Sequence, residues 1–226
     1  MGYTGVIFDF NGTLFWDTEL HVIAWKEFSK RLRGRAFSDE ELCKYMVGKT
    51  NYEITKYCMQ QEITPEFAAK TGGEKEEYYR QMCLENPEKT ILAPGAEDFL
   101  DFLKENKVPM NIATMADREN VDFFTKTFNL EKWFDTTKIV CSCDGVKSKP
   151  DPEAFLLAAK NIGCKPEECV GFEDSPSGLE ACRRANLGRI YMVKSTDKIN
   201  KSISTEGIYK IITDYNQVER SLFMNS

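Results

Sequence analysis

A short apolar run, Val6-Ile7-Phe8, ends on Asp9, and the turn-forming pair Asn11-Gly12 follows almost at once. An apolar run of that length, closed by a turn signal, reads as a buried strand. The strand delivers the Asp9 carboxylate to its C-terminal end. In open parallel sheets ligands bind at that edge. A carboxylate placed there can hold a metal or attack an electrophile as a nucleophile.

From Thr18 onward the apolar spacing turns helical, with Leu20, Ile23, Ala24, Phe28 and Leu32 on one face. Asp17 or Thr18 is the expected cap of this helix. Residues 38–47, 52–61 and 65–83 continue as helical segments, with breaks expected at Gly48, Gly72-Gly73 and Pro87. No strand pattern appears between residues 16 and 86. A helical insertion after the first strand accounts for this, so residues 16–86 form one predicted domain, and residues 1–15 with 87–226 the other.

After Pro94-Gly95 helical and strand patterns alternate as in α/β folds. The predicted helices are 96–106, 118–128, 152–162 and 177–185. The predicted strands are 108–113, 137–140, 169–172, 189–193 and 210–212. The expected fold is a doubly wound, mostly parallel, Rossmann-like sheet carrying a helical insertion.

Four segments place polar groups at or just beyond predicted strand ends. Asp9 follows the first strand, and Thr114 closes "NIAT". Lys149 sits in Ser148-Lys149-Pro150-Asp151-Pro152, ahead of a helix, and Glu173-Asp174 follow "VGF". A lone Asp or Thr at a strand end is more often a cap or turn residue. A nucleophile, a hydroxyl, a lysine and an acidic pair, in that order, are far more specific.

Together these segments resemble the four motifs of the haloacid-dehalogenase (HAD) phosphohydrolase superfamily, across essentially the whole chain. "DFNGTLF" is similar to the first, "IAT" to the second, "SKPDPEAF" to the third and "VGFEDSPSGLEA" to the fourth. The last two resemble the branch of β-phosphoglucomutases, phosphoglycolate phosphatases and small sugar-phosphate phosphatases, whose cap domain occupies the place of the helical insertion. The resemblance implies hydrolysis of a small phosphorylated metabolite with Mg²⁺ as cofactor. It implies metal ligation by Asp9, the Asn11 main-chain carbonyl and Asp174, with Glu173 either a further ligand or the group directly behind them. It further implies that Asp9 attacks phosphorus to form an aspartyl-phosphate, that Lys149 bridges Asp9 and the phosphoryl group, and that Thr114 and Met115 bind phosphoryl oxygens. The charge logic is self-consistent, because a phosphate dianion repels a carboxylate unless cations neutralise both.

Asn11 departs from the family pattern, in which an Asp at this place protonates the leaving oxygen and then activates water. A carboxamide cannot shuttle protons, and loss of a general acid/base typically costs about 10²–10⁴-fold in rate. Three readings stay open. The enzyme is slow or serves substrates with good leaving groups; the protein binds phosphorylated ligands without turnover; or the residue is an engineered substitution. The Asn11-Gly12 step is also prone to deamidation, which would restore an Asp. A mutase of the β-phosphoglucomutase type is the second enzymatic reading.

His21, the only histidine, and Trp25 stand where β-phosphoglucomutases have His and Trp. His21 is either a packing residue or the remaining candidate for proton work. Lys49, in Val47-Gly48-Lys49-Thr50-Asn51, is a solvated surface lysine or a substrate contact in the cap; a Schiff-base role would need burial to lower its pKa. The net charge of −6 gives no general attraction to nucleic acid or anionic lipid. No apolar window reaches the length of a membrane span, and no charged-then-apolar leader opens the chain. A cytoplasmic monomer is expected, with no nucleic-acid or membrane partner. The eight cysteines lack zinc-knuckle spacing, and free, mostly buried thiols are expected.

Overall fold

A computed structural model describes residues 2–46, 49–195 and 204–224. The chain divides into two compact units, Asp17–Thr90 and Met1–Trp16 with Ile91–Ser226. The first is helical: α1 (Thr18–Arg33), α2 (Asp39–Tyr45), α3 (Asn51–Met59) and α4 (Pro65–Glu85). Its boundaries follow from local chemistry. Ser38 and Thr50 each accept from the backbone amide three residues on, and Glu41 and Glu53 return the bond, forming two capping boxes. Thr64 caps α4 with Pro65 in its first turn. Gly34 ends α1 at φ 78°, a left-handed conformation open to glycine. Trp25, Phe28, Phe37, Leu42, Ile54 and Cys58 form the core of this unit.

The second unit holds a parallel sheet in the order β2-β1-β3-β4-β5. The strands are β1 (Gly5–Phe8), β2 (Met110–Ile112), β3 (Cys169–Glu173), β4 (Arg189–Val193) and β5 (Lys210–Ile212). Its helices are α5 (Ala96–Glu105), α6 (Arg118–Phe128), α7 (Glu153–Asn161) and α8 (Pro176–Arg184). Side chains alternate between two faces, as strand periodicity requires. Ile7, Cys169, Ile190 and Met192 pack with Phe155 and Ala158 of α7 and Leu179 and Cys182 of α8. On the opposite face Phe8 stacks on Phe172 and Phe172 on Tyr191, at 5.0 and 4.9 Å, and Phe99 of α5 meets Phe172 edge-on at 5.6 Å. With both faces covered the sheet is doubly wound, and its strands read as nearly continuous apolar runs. Phe8 pairs in register with both Ile112 and Phe172, so the residues that follow these three strands emerge at one edge.

Several expectations need correction. Gly72 and Gly73 lie inside α4 and do not break it. A Cβ on Gly72 would sit 3.1 Å from the Cβ of Asn51, so the glycine lets the start of α3 approach α4. Packing there outweighs the ~1 kcal/mol helix penalty of glycine. Residues 137–140 do not form a strand. Thr136–Lys138 is a 3₁₀ turn capped by Asp135, the Lys138 carbonyl accepts from the Asn111 side chain, and only Val140 bridges to Ala113. Asp17 precedes α1 without capping it through its side chain. The cysteines are not all free, since Cys141 and Cys143 form a disulfide. The 3₁₀ turn Ser142–Asp144 brings their Cα atoms to 5.4 Å, while Cys58, Cys83, Cys164, Cys169 and Cys182 are thiols. The break expected at Gly48 lies outside the described residues. Among the described residues, no helix is long and apolar enough to cross a membrane.

Phe99 is fully buried against Phe8, Phe172, Tyr215 and Phe223. Phe99→Ala should destabilise the α/β unit by about 3–5 kcal/mol, the range for emptying a buried aromatic site, read as a lower urea midpoint at unchanged slope. A loss below ~1 kcal/mol would show that this face does not carry the packing assigned to it.

Candidate active site

Asp9 follows β1, and its amide donates to the Phe172 carbonyl, 2.9 Å away on the neighbouring strand. Glu173 ends β3 beside it. Lys149 enters from the segment ahead of α7, and its Nζ lies 2.6 Å from both Asp9 Oδ1 and Glu173 Oε2. All three side chains are at least nine-tenths buried. Burial, then the charge of Glu173, push the Asp9 carboxyl up to about 7 against the pull of Lys149. Burial disfavours the charge of Lys149, but the two carboxylates prevail and hold its pKa above the ordinary lysine range.

Glu173 Oε1 accepts from the amides of Asp174 and Ser175 and from the Ser175 hydroxyl, each at 3.0 Å. Both of its oxygens are therefore engaged. A Cβ on Gly178 would lie 1.9 Å from the Glu173 carboxylate, so the first turn of α8 has to carry glycine there. Asp174 is only half-buried and accepts from Thr13 Oγ1 at 3.3 Å. The loop after β1 folds round the Phe10 carbonyl, which accepts from the amides of Thr13, Leu14 and Phe15. Gly12 in this loop has φ 82°, and a Cβ there would lie 2.3 Å from Asp174 Oδ2. Thr114, two residues past β2, is buried. Its hydroxyl accepts from the Ala116 amide at 3.1 Å and reaches Asn11 Oδ1 at 3.5 Å. Met115 beside it is half-buried.

The fold thus gathers Asp9, Asn11, Thr114, Lys149, Glu173 and Asp174 at one sheet edge. Ligand oxygens of Asp9, Glu173 and Asp174 lie within 4.8 Å of one another. Three carboxylates with one ammonium leave an excess of negative charge, and an all-oxygen donor set suits a hard divalent cation. The bare α-carbon of Gly12 leaves the space that Asp174 occupies. The residues present fit such an ion, with Asp9 and Asp174 as the carboxylates to hold it, while the oxygens of Glu173 are engaged by Lys149, the Asp174 and Ser175 amides and the Ser175 hydroxyl.

His21 and Lys49 belong to the helical unit. The His21 ring stacks on Tyr79 at 4.1 Å, with Nε2 3.1 Å from Asp17 Oδ2 and Nδ1 3.2 Å from Lys75 Nζ. Asp17 also accepts from Tyr79 Oη. Lys75 is buried and pairs with Glu76 at 2.6 Å. Burial works against the Glu76 charge, but Lys75, His21 and the Asn51 amide hold its pKa down to about 2. Nδ1 of His21 thus faces the Lys75 ammonium and Nε2 faces the Asp17 carboxylate. Both ring nitrogens of His21 are therefore occupied. Lys49 Nζ lies 3.1 Å from Glu53 Oε1, and both side chains are exposed.

Sequence reasoning passed over Thr13, Ser175 and Gly178, although all three stand inside the quoted motifs. It also passed over Lys75 and Tyr79 and gave Asp17 only as a helix cap, because their joint contact with His21 arises only when α1 and α4 pack together.

The family model for haloacid dehalogenase-like hydrolases matches residues 3–186, and the chain belongs to that family. It is a hydrolase built on the HAD α/β fold. A solved HAD hydrolase of family IA, variant 3, from Entamoeba histolytica is 35% identical, with 98% of this chain and 99% of that one covered and a TM-score of 0.88. The phosphorylated carbohydrates phosphatase of Thermotoga maritima is 29% identical over 92% of this chain and 93% of its own length. The fructose-1-phosphate phosphatase of Escherichia coli is 29% identical over 83% and 95%.

Gly12→Ala should weaken Mg²⁺ binding at least ~10-fold, because displacing one of few charged oxygen ligands removes much of the attraction for a hard cation. Calorimetric titration on the folded variant measures this. Unchanged affinity would take Asp174 out of the ion's reach.

Proposed function

We propose that this hydrolase is a Mg²⁺-dependent phosphatase for small phosphorylated carbohydrates, acting through an aspartyl-phosphate on Asp9. The observation that carries the reading is Lys149 Nζ at 2.6 Å from a buried strand-end carboxylate, with Asp174 alongside. Its membership of the HAD-like hydrolases and its similarity to two sugar-phosphate phosphatases support the reaction type. Mg²⁺, held by Asp9, Asp174 and the Asn11 main-chain carbonyl, would supply positive charge to the phosphoryl oxygens. Asp9 attacks phosphorus and the ester P–O bond breaks, the alcohol oxygen leaving with the bonding pair and taking its proton from water. Lys149 orients Asp9 and stabilises charge on the transferring group. The Thr114 and Met115 segment holds phosphoryl oxygens. Water then attacks phosphorus, the acyl-phosphate bond breaks, and Asp9 returns as carboxylate with inorganic phosphate. The helical unit, Asp17–Thr90, would be the part of the chain that selects substrate.

Asn11 sets the pace of both steps. Its amide can hydrogen-bond the leaving oxygen but cannot give it a proton. The reading is therefore a phosphatase slow for poor leaving groups. A mutase of the phosphoglucomutase type is the alternative that the same panel separates.

Phosphate release from p-nitrophenyl phosphate and from sugar phosphates, with Mg²⁺ or with EDTA, tests the assignment. Mg²⁺-dependent release is expected, and Asn11→Asp should raise turnover on sugar phosphates by at least ~10²-fold while leaving Mg²⁺ affinity little changed. Isomerisation without release would point to the mutase. Binding without turnover in both proteins would reduce the chain to a phospho-ligand binder.

A further inference from the structure

The disulfide turn at residues 141–144 takes no part in the reaction just described, yet it is tied to the loop assigned to the phosphoryl group. The Ser142 amide and hydroxyl both donate to the Ala116 carbonyl, at 3.0 and 3.1 Å. The Ala116 amide in turn donates to Thr114 Oγ1, which reaches Asn11. Thr114 is also held through its own amide by the carbonyl of Val140, the residue before Cys141. Asp144 closes the turn by accepting from the Cys141 amide at 2.8 Å, and Arg118, the first residue of α6, lies 3.3 Å from its other oxygen. Ser142, whose two donors hold the 114–116 loop, is the single residue spanned by the Cys141–Cys143 bond. Cys141 is buried and Cys143 exposed, so one sulfur of the pair is open to thiols in solution. Six residues further on, the same segment delivers Lys149 to Asp9.

We propose that Cys141 and Cys143 form a reversible thiol–disulfide switch that sets the affinity of the 114–116 loop for phosphate. The inference rests on the reading that this loop binds phosphoryl oxygens. A low-molecular-weight disulfide such as oxidised glutathione supplies the oxidising equivalents. The Cys143 thiolate attacks one of its sulfurs and expels a thiolate, leaving a mixed disulfide. The Cys141 thiolate then attacks Cys143 sulfur and releases the second thiolate, so one disulfide is made for each one consumed. Excess thiol reverses both steps. In the oxidised state the covalent ring fixes Ser142 and keeps the loop ordered before phosphate arrives. In the reduced state the loop has to be ordered on binding, and that cost lowers affinity.

The test is calorimetric titration of inorganic phosphate, with Mg²⁺ present, into the full chain after treatment with oxidised glutathione and again after reduction. Reduction should weaken binding by about 5-fold or more, the factor for ordering one further backbone residue. Cys143→Ser, a change at an exposed site, should bind like the reduced protein and ignore reductant. Peptide mapping of the oxidised sample should recover residues 141 and 143 in one disulfide-closed peptide. Free thiols at both positions after oxidation would overturn the proposal, as would equal affinity in the two states or a redox response that survives Cys143→Ser. Phosphate that binds neither state would instead count against the loop's assignment itself, and the switch would fall with it.

Discussion

The ammonium of Lys149 between Asp9 and Glu173 is the contact on which the site depends. Two carboxylates at the ends of adjacent parallel strands repel each other, and burial raises the cost of their charge. Lys149 works against both effects from one position, at 2.6 Å from each. Breaking such a buried group by removing one partner is expected to cost about 3–5 kcal/mol, because the remaining charges stay buried and uncompensated. The local structure of the site and its chemistry therefore rest on the same three side chains. The register that pairs Phe8 with Phe172 brings the carboxylates together, and the segment before α7 delivers their counter-ion.

Much of this was legible in the sequence. Strand ends marked by Asp9, Thr114 and Glu173 need only the two-residue strand period and the turn signals around them, and the doubly wound sheet follows from the alternation after Pro94-Gly95. The capping boxes at Ser38 and Thr50 are equally local. The failures are tertiary. Gly72 and Gly73 look like a break until Asn51 is seen packed against the first of them. Residues 137–140 look like a strand until the Asn111 side chain takes the Lys138 carbonyl. The pairing of Cys141 with Cys143 depends on a turn whose geometry no spacing rule gives.

Asn11 and His21 illustrate the distance between a motif and a mechanism. The loop after β1 is tightly built, since three amides converge on the Phe10 carbonyl and Gly12 adopts a left-handed φ. The amide of Asn11 in that loop can hydrogen-bond but cannot shuttle a proton. His21, the sole histidine, has Asp17 on one nitrogen and Lys75 on the other. A ring held in that way must exchange a partner before it can carry a proton elsewhere.

The central claim is that Asp9 is the nucleophile, and the phosphoryl group's own path tests it most directly. Protein mixed with substrate carrying radiolabelled phosphate, quenched in acid and mapped by peptide, should carry label on the fragment that contains Asp9. Asp9→Ala should carry none. Label on any other fragment, or label that persists in Asp9→Ala, would contradict the account.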